Sequence, residues 1–249
     1  VARELAPSPD NWDYTAAIAD AKARIHVAEA QSGRAGSGVK LLVATKAWDA
    51  HAASAAVAAG AILVGESRMQ ELAQKGEALR AAGAHVHVIG ELQRNKAAIA
   101  VEFAECVQTV DSLKLAERLS RLSLEAEREL DVMIQVNVSG EESKAGVEPS
   151  EALALASAIQ SLDALTVTGF MTIGLNSSDE GAVRAGYRQL RDIRDEALIL
   201  SERGQHSLRE AWHLSMGMSS DLEWAIAEGA TMVRIGTAVM GERDKPSLG

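Results

Sequence analysis

The 249-residue chain is 47% hydrophobic and 24% charged, the balance of an ordinary globular protein with enough length to bury a full core. Its net charge is −10, and Lys and Arg are scattered along helical faces rather than clustered, which argues against nucleic acid as a partner. No apolar run approaches bilayer-spanning length, "VARELAPSPDNW" carries no apolar signal core, and the single cysteine, Cys106, has no disulfide or metal partner, so a cytoplasmic chain with no membrane partner is expected.

The first predicted helix starts near Pro9. Trp12, Ala16, Ala19, Ala23 and Val27 recur at helical spacing, and Gly33 ends the run. "RAGSG" then reads as a flexible turn. Short apolar runs follow at 39–46, 61–66, 84–89, 106–110, 131–138, 164–172, 211–215 and 231–235, separated by amphipathic stretches. Over 112–129 the stripe is Leu115, Leu119, Leu122 and Ala126; over 179–204 it is Val183, Tyr187, Leu190, Ile193 and Ala197. Capping-box spacing pairs Ser67 with Gln70, Ser177 with Glu180 and Ser220 with Glu223. No Pro/Gly-rich linker divides the chain. Strict strand–helix alternation predicts one α/β domain over 1–249, a parallel (βα)8 TIM barrel from residue 39 with an extra N-terminal helix and turn over 1–38. The alternative is a doubly wound open sheet, but no GxGxxG or GxxxxGK[ST] follows the first strand. With no long apolar stripe left exposed, a monomer is expected.

Active sites of such barrels gather at the C-terminal ends of the strands, where every second side chain faces inward. Reading each strand end this way collects Lys46, Glu66 (in step with Val64 and Ile62), His85 and His87, Asp111, Gln135 and Asn137, His213 with Ser215, and Arg234. Burying these unpaired is costly, and a polar ligand would offset that cost. "SMGMSSDLE" and "RIGTAVMG" place Gly217, and Gly236 with Thr237, in the turns after the last two strands, a frequent phosphate site in this architecture. A phosphate on one side of the mouth and a lysine at the end of strand 1 suggest pyridoxal 5′-phosphate (PLP), whose aldehyde condenses with a neutral, partly desolvated lysine amine. The plain alternative is that Lys46 is a strand-end lysine snorkelling to solvent.

Other groups read as structural. Cys106 is a buried thiol. His85 and His87 form a hydrogen-bonded core pair rather than a metal site, since no third ligand is spaced nearby. His213 faces inward under Ser215 and either orients it or is a satisfied core histidine. Met216, Met218, Met232 and Met240 are adaptable packing around the mouth.

Seven stretches in order from strand 1 onward, "LLVATK", "VGESRMQEL", "HVIGELQRNK", "VQTVDSLKLAERL", "QVNVSGEESKAGV", "LTVTGFMTIG" and "LSMGMSSDLEWAIAEGATMVRIGTAVMG", resemble the pyridoxal phosphate homeostasis proteins (YggS/PROSC type), which share their barrel with the N-terminal domain of alanine racemase. The resemblance implies that Lys46 carries the cofactor as a Schiff base and that Ser215, Gly217, Arg234, Gly236 and Thr237 lie in the phosphate-binding segments. Asn137, His87 and Ser67 complete the expected cofactor set. Ser67 stands where the family usually has Asn, and "KAWDA" lacks the proline that commonly follows the lysine. Lys144, in "EESKAG", is a secondary acceptor or exit-path lysine, or simply an exposed loop lysine.

The resemblance also implies a carrier or buffer of PLP and related B6 vitamers in vitamin B6 homeostasis, with PLP-dependent apoenzymes as partners, and with no catalytic or metal-ligating residues. Racemases of the related type add a β domain, whereas this sequence stops soon after its last strand. Neither Tyr14 nor Tyr187 lies at a strand end. The alternatives are a racemase-like PLP enzyme with an undefined substrate and, with no cofactor, a Schiff-base aldolase using Lys46.

Overall fold

The computed structural model describes residues 11–141 and 145–242. The strands are β1 (Lys40–Ala44), β2 (Leu63–Glu66), β3 (His85–Val88), β4 (Cys106–Val110), β5 (Leu130–Gln135), β6 (Leu165–Met171), β7 (His213–Met218) and β8 (Met232–Ile235). They close in sequence order into a parallel barrel, β8 returning to β1 through the Lys40↔Met232 to Val43↔Ile235 register. Helices α1 (Tyr14–Gln31), α2 (Ala50–Ala58), α3 (Met69–Ala81), α4 (Ala97–Phe103), α5 (Leu113–Glu125), α6 (Ala152–Gln160), α7 (Glu180–Glu202), α8 (Leu222–Ala227) and α9 (Thr237–Met240) occupy the outside. This is the (βα)8 TIM barrel that the alternation predicts. Among the described residues, no helix is long and apolar enough to cross a membrane.

The barrel has two apolar layers. Leu42, Cys106, Met133, Met171 and Met232 fill its interior with Leu63 and Ile89. The larger layer packs outward-facing strand residues such as Val43, Val64, Val107 and Phe170 against the helices. Glycine is required where strands crowd: a Cβ on Gly65 would lie 2.4 Å from Leu42 Cδ2, and one on Gly169 would lie 2.2 Å from the His213 carbonyl. On α7 the predicted stripe is buried as expected. On α5, Leu115 and Leu119 are buried, but Ala126 is the exposed C-cap.

Several local expectations are corrected. Helix α1 starts at Tyr14, capped by the Asp13 carboxylate accepting from the Ala16 amide at 2.9 Å; Pro9 lies outside the described residues. Its buried face is Tyr14, Ile18, Ala21, Ile25 and Ala28, whereas Trp12, Ala16, Ala19, Ala23 and Val27 are exposed. In an Ala-rich helix the few large side chains decide which face is buried, because apolar area buried scales with side-chain size. The "RAGSG" turn is anchored, since Arg34 donates to the carbonyls of Ile226 and Ala230 at 2.6 and 2.9 Å.

None of the three serine caps forms. Arg68 occupies the N-cap of α3 without a side-chain bond. Asp179 caps α7 by accepting from the Ala182 amide, and Asp221 stands at the start of α8 with its carboxylate accepting from the Met218 amide at 2.7 Å. At α7 the Asp179 side chain, two residues after Ser177, takes the cap, whereas at α8 no side chain caps the helix and Asp221 turns back to the Met218 amide.

Candidate functional site

The C-terminal rim of the barrel is where chemistry-bearing residues converge. β1 ends at Ala44, so Lys46 sits in the turn just beyond the strand, exposed, rather than on it. Its neighbours around the rim follow from the register: Val43 pairs with Ile235 on β8, and Met218 of β7 pairs with Arg234. Gly236, Thr237 and Gly217 therefore lie on the two strand ends beside Lys46. Gly217 has φ +93°, and a Cβ there would come within 2.5 Å of the Ala225 Cβ, so only glycine fits. Gly236 opens α9, and Thr237 is exposed.

Helix α1 braces these loops from outside. Arg24 donates to both oxygens of Glu223 at 2.5 and 2.7 Å and to the Ser219 carbonyl at 2.7 Å, and Trp12 donates to the Val239 carbonyl at 2.8 Å.

Arg234 is buried inside the upper barrel. It donates to the Thr172 carbonyl at 2.7 Å and to Ser215 Oγ at 2.9 Å. Burial pulls its pKa down from the usual guanidinium value, yet arginine keeps its charge. The Ser215 hydroxyl donates in turn to Gln108 Oε1 at 2.6 Å, and Gln108 Nε2 donates to His87 Nδ1 at 2.7 Å. A buried chain thus runs from the rim down the barrel axis. Of the two readings of His213, it disfavours the one in which His213 orients Ser215, whose hydroxyl bonds instead to Gln108 and Arg234.

His213 sits at the other end. Its Nδ1 faces Thr231 Oγ1 at 3.1 Å, and Lys40 Nζ approaches its Nε2 at 3.5 Å. With Lys40, His85, His87, Glu105 and Asp131 it lines a cavity of about 340 Å³ among the strand starts. His87 therefore faces the foot of the barrel rather than the rim. Burial first, then the positive neighbours Lys40, His213 and His85, push its pKa down to about 3. His85 and His87 do not pair with each other. His85 binds the Glu105 carboxylate at 2.7 Å at the surface.

Cys106 is fully buried, and burial raises its thiol pKa well above the usual value, the inert thiol expected. Of the four methionines, Met232 fills the barrel interior and Met216 and Met240 the outer core, while Met218 alone is exposed at the mouth. The Tyr187 hydroxyl, though rooted in α7, reaches behind the strand ends. It donates to Asp221 Oδ2 at 2.8 Å and would lie 3.0 Å from a Cβ on Gly174.

Ser67 follows β2, and its carbonyl would lie 2.3 Å from a Cβ on Gly90. Asn137 is buried after β5, where it shapes its own loop: Nδ2 donates to the Glu141 carbonyl at 2.9 Å, and Oδ1 accepts from the Ser139 hydroxyl at 2.8 Å. Lys144 lies outside the described residues. Glu66 faces outward with Val64, beneath α3, and not into the mouth.

That outward turn exposes a group the sequence reading missed. Lys75, on α3, is buried and binds Glu66 Oε1 at 2.8 Å. Its ammonium also donates to the Thr45 and Trp48 carbonyls at 2.7 and 3.0 Å. The Thr45 hydroxyl donates to the same Glu66 oxygen at 2.5 Å, and the Ala47 amide donates to Glu71 Oε2 at 2.6 Å. Ala47 takes φ +68°, an uncommon value for a residue with a side chain. Burial pushes the Glu66 pKa up, with Lys75 opposing. For Glu71 burial acts the same way, but Arg68, the Ala47 amide and Lys75 outweigh it and hold the carboxyl low. The local signal was Glu66 itself, since a carboxylate on the outward side of a strand must meet a donor from the covering helix.

Residues 20–244 match the alanine racemase N-terminal domain family. The pyridoxal phosphate homeostasis protein of Pseudomonas aeruginosa is 40% identical over 227 residues, covering 91% of this chain and 94% of that protein. A solved structure of an unknown protein from Bifidobacterium adolescentis, 38% identical, superposes with a TM-score of 0.86 over 95% of this chain and all of that one. PipY of Synechococcus elongatus, solved with PLP bound, is 31% identical with a TM-score of 0.77, covering 92% of this chain and all of that one.

Proposed function

The chain belongs to the alanine racemase N-terminal domain family, among its pyridoxal phosphate homeostasis proteins, and from that premise we propose that it binds PLP, holds it as a Schiff base on Lys46, and serves as a carrier of the vitamer rather than an enzyme. One observation carries the reading: an exposed lysine at the end of β1 shares its stretch of rim with the glycine-bearing ends of β7 and β8. Gly217 fits the phosphate segment of this reading, because its positive φ gives the end of β7 a turn that a residue with a Cβ, pressed against Ala225, could not take. Gly236 and Thr237 offer the second wall, and buried Arg234 supplies the positive field behind it.

When bound, PLP supplies an aldehyde that condenses with a neutral lysine amine: a carbon–nitrogen bond forms and one water leaves. The chain's part is to hold the anionic tail and to present the amine. Ser215 supports Arg234 through its lone pair while spending its proton on Gln108, so its role in this reading is to position the guanidinium. The non-catalytic half of the proposal draws on the tyrosines. The Tyr187 hydroxyl is tied to Asp221, and burial, then that carboxylate, push its pKa upward, which unfits it as a base facing a substrate. B6 vitamers are the ligands in this reading, and PLP-dependent apoenzymes the recipients.

The test is borohydride reduction of the protein mixed with PLP, followed by peptide mapping in wild type and Lys46→Ala. The label should fall on the peptide carrying Lys46 and vanish in the variant. Label on another lysine, or none, would sink the assignment, and robust turnover of an amino acid by the purified protein would overturn the carrier role.

A further inference from the structure

A buried ion pair, Glu66 with Lys75, lies under α3 next to the Lys46 turn. Desolvating Glu66 and Lys75 is costly, and an apolar pair of similar size in that layer would hold the helix at least as well. What an apolar pair could not do is hold the β1–α2 turn. Lys75 Nζ, Glu66 Oε1 and Glu71 Oε2 bond to Thr45, Ala47 and Trp48, the residues that bracket Lys46, and none of these bonds is made to Lys46 itself. Ala47, directly after Lys46, is kept in a left-handed conformation with its amide on Glu71. Arg68 holds the other oxygen of Glu71 at 2.8 Å, which fixes that carboxylate in turn.

We propose that Glu66, Glu71 and Lys75 are positioning residues that set the backbone on both sides of Lys46, so that its amine faces the aldehyde of a vitamer anchored by its phosphate. The inference rests on the Lys46 reading above. It makes capture of the aldehyde separable from recognition of the rest of the vitamer: phosphate contacts belong to the β7 and β8 ends, whereas presentation of the amine belongs to α3. A turn left to its own preferences would relax at Ala47 and swing the lysine's Cα, and misplacement by an ångström is enough to impair a bimolecular reaction held in a site.

The experiment compares two ligands on the same proteins. Pyridoxine 5′-phosphate has the ring and phosphate but an alcohol in place of the aldehyde, and its affinity is measured by calorimetry. PLP capture is measured by visible absorbance and by borohydride trapping. The double variant Glu66→Gln/Lys75→Met removes both charges together and leaves no lone buried ion; its melting temperature is recorded alongside. It should bind pyridoxine 5′-phosphate within about twofold of wild type while PLP capture falls roughly 10- to 100-fold.

A second pair guards against a folding failure. Glu71→Gln keeps an oxygen for the Ala47 amide and should retain capture, and Glu71→Ala should lose it with analogue binding intact. Equal losses for both ligands would make the cluster merely structural and overturn the proposal, as would undiminished PLP capture in the double and Glu71→Ala variants. Absence of trapping at Lys46 in wild type would instead defeat the underlying reading and this one with it.

Discussion

His87 makes the stability of the barrel depend on acid in a way that can be calculated. Its imidazole is held neutral, accepting from Gln108, with a folded-state pKa of about 3 against 6.5 in an unfolded chain. Below pH 6.5 the unfolded chain takes up a proton that the folded one refuses, so folding loses free energy as the pH falls toward 3. Above 6.5 both states are neutral and the contribution is flat. For one group shifted this far, the loss between pH 7 and pH 4.5 is about 2.5 kcal/mol. With a urea slope of about 3 kcal/mol/M, this moves the unfolding midpoint by roughly 0.8 M. Buried carboxylates such as Glu29 also lose stability in acid, so the measurement is a difference: urea midpoints at pH 7, 5.5 and 4.5 for wild type and for His87→Gln, which keeps an oxygen for Gln108 but carries no titrating group. The wild-type midpoint should fall further by about that amount. Parallel pH dependences would mean that His87 is protonated in the folded state, or exchanges readily with solvent, and the axial chain as described would be wrong.

Two further outcomes follow from the rim. Gly217→Ala forces a side chain into φ +93° and against the Ala225 Cβ, which combines backbone strain with overpacking. The cost should be about 2–4 kcal/mol, read as a melting temperature lower by roughly 5–15 °C, with phosphate-bearing vitamers bound more weakly; a shift under about 2 °C would contradict it. Ser215→Ala leaves Gln108 Oε1 and one Arg234 donor without their partner in a buried place, for a loss of about 2–4 kcal/mol in urea unfolding at unchanged slope, and a neutral result would show that water replaces the hydroxyl.

The fold was legible because eight short apolar runs alternate with helical stripes, and parallel closure demands little more. Local detail failed where competing signals were close in strength. On α1 the exposed set of Trp12, three alanines and Val27 matches helical spacing about as well as the buried set of Tyr14, Ile18, Ala21, Ile25 and Ala28, so spacing alone does not tell the faces apart. At the start of α7 Asp179, two residues after Ser177, takes over the cap. The glycines and Lys46 could be assigned to the rim from strand ends alone. Their supports could not: Ser215 and Gln108 are 107 positions apart, and no periodicity couples them. Lys75 was hidden in the polar helix sequence "MQELAQKGEALRA", where a lysine ordinarily reads as solvated surface.

The two basic side chains assigned to the proposed site are supported from opposite sides of the barrel wall. Arg234 is held from within, through Ser215, Gln108 and His87 along the axis. The turn bearing Lys46 is held from without, by charges rooted in α3 and at the end of β2. The two networks share no hydrogen-bonded side chain among those named. A vitamer bridging them would therefore meet two walls fixed independently, one for its anion and one for its aldehyde. That division suits a carrier. In the proposed carrier, grip on the phosphate would provide retention, and the bond to Lys46 would protect a reactive aldehyde.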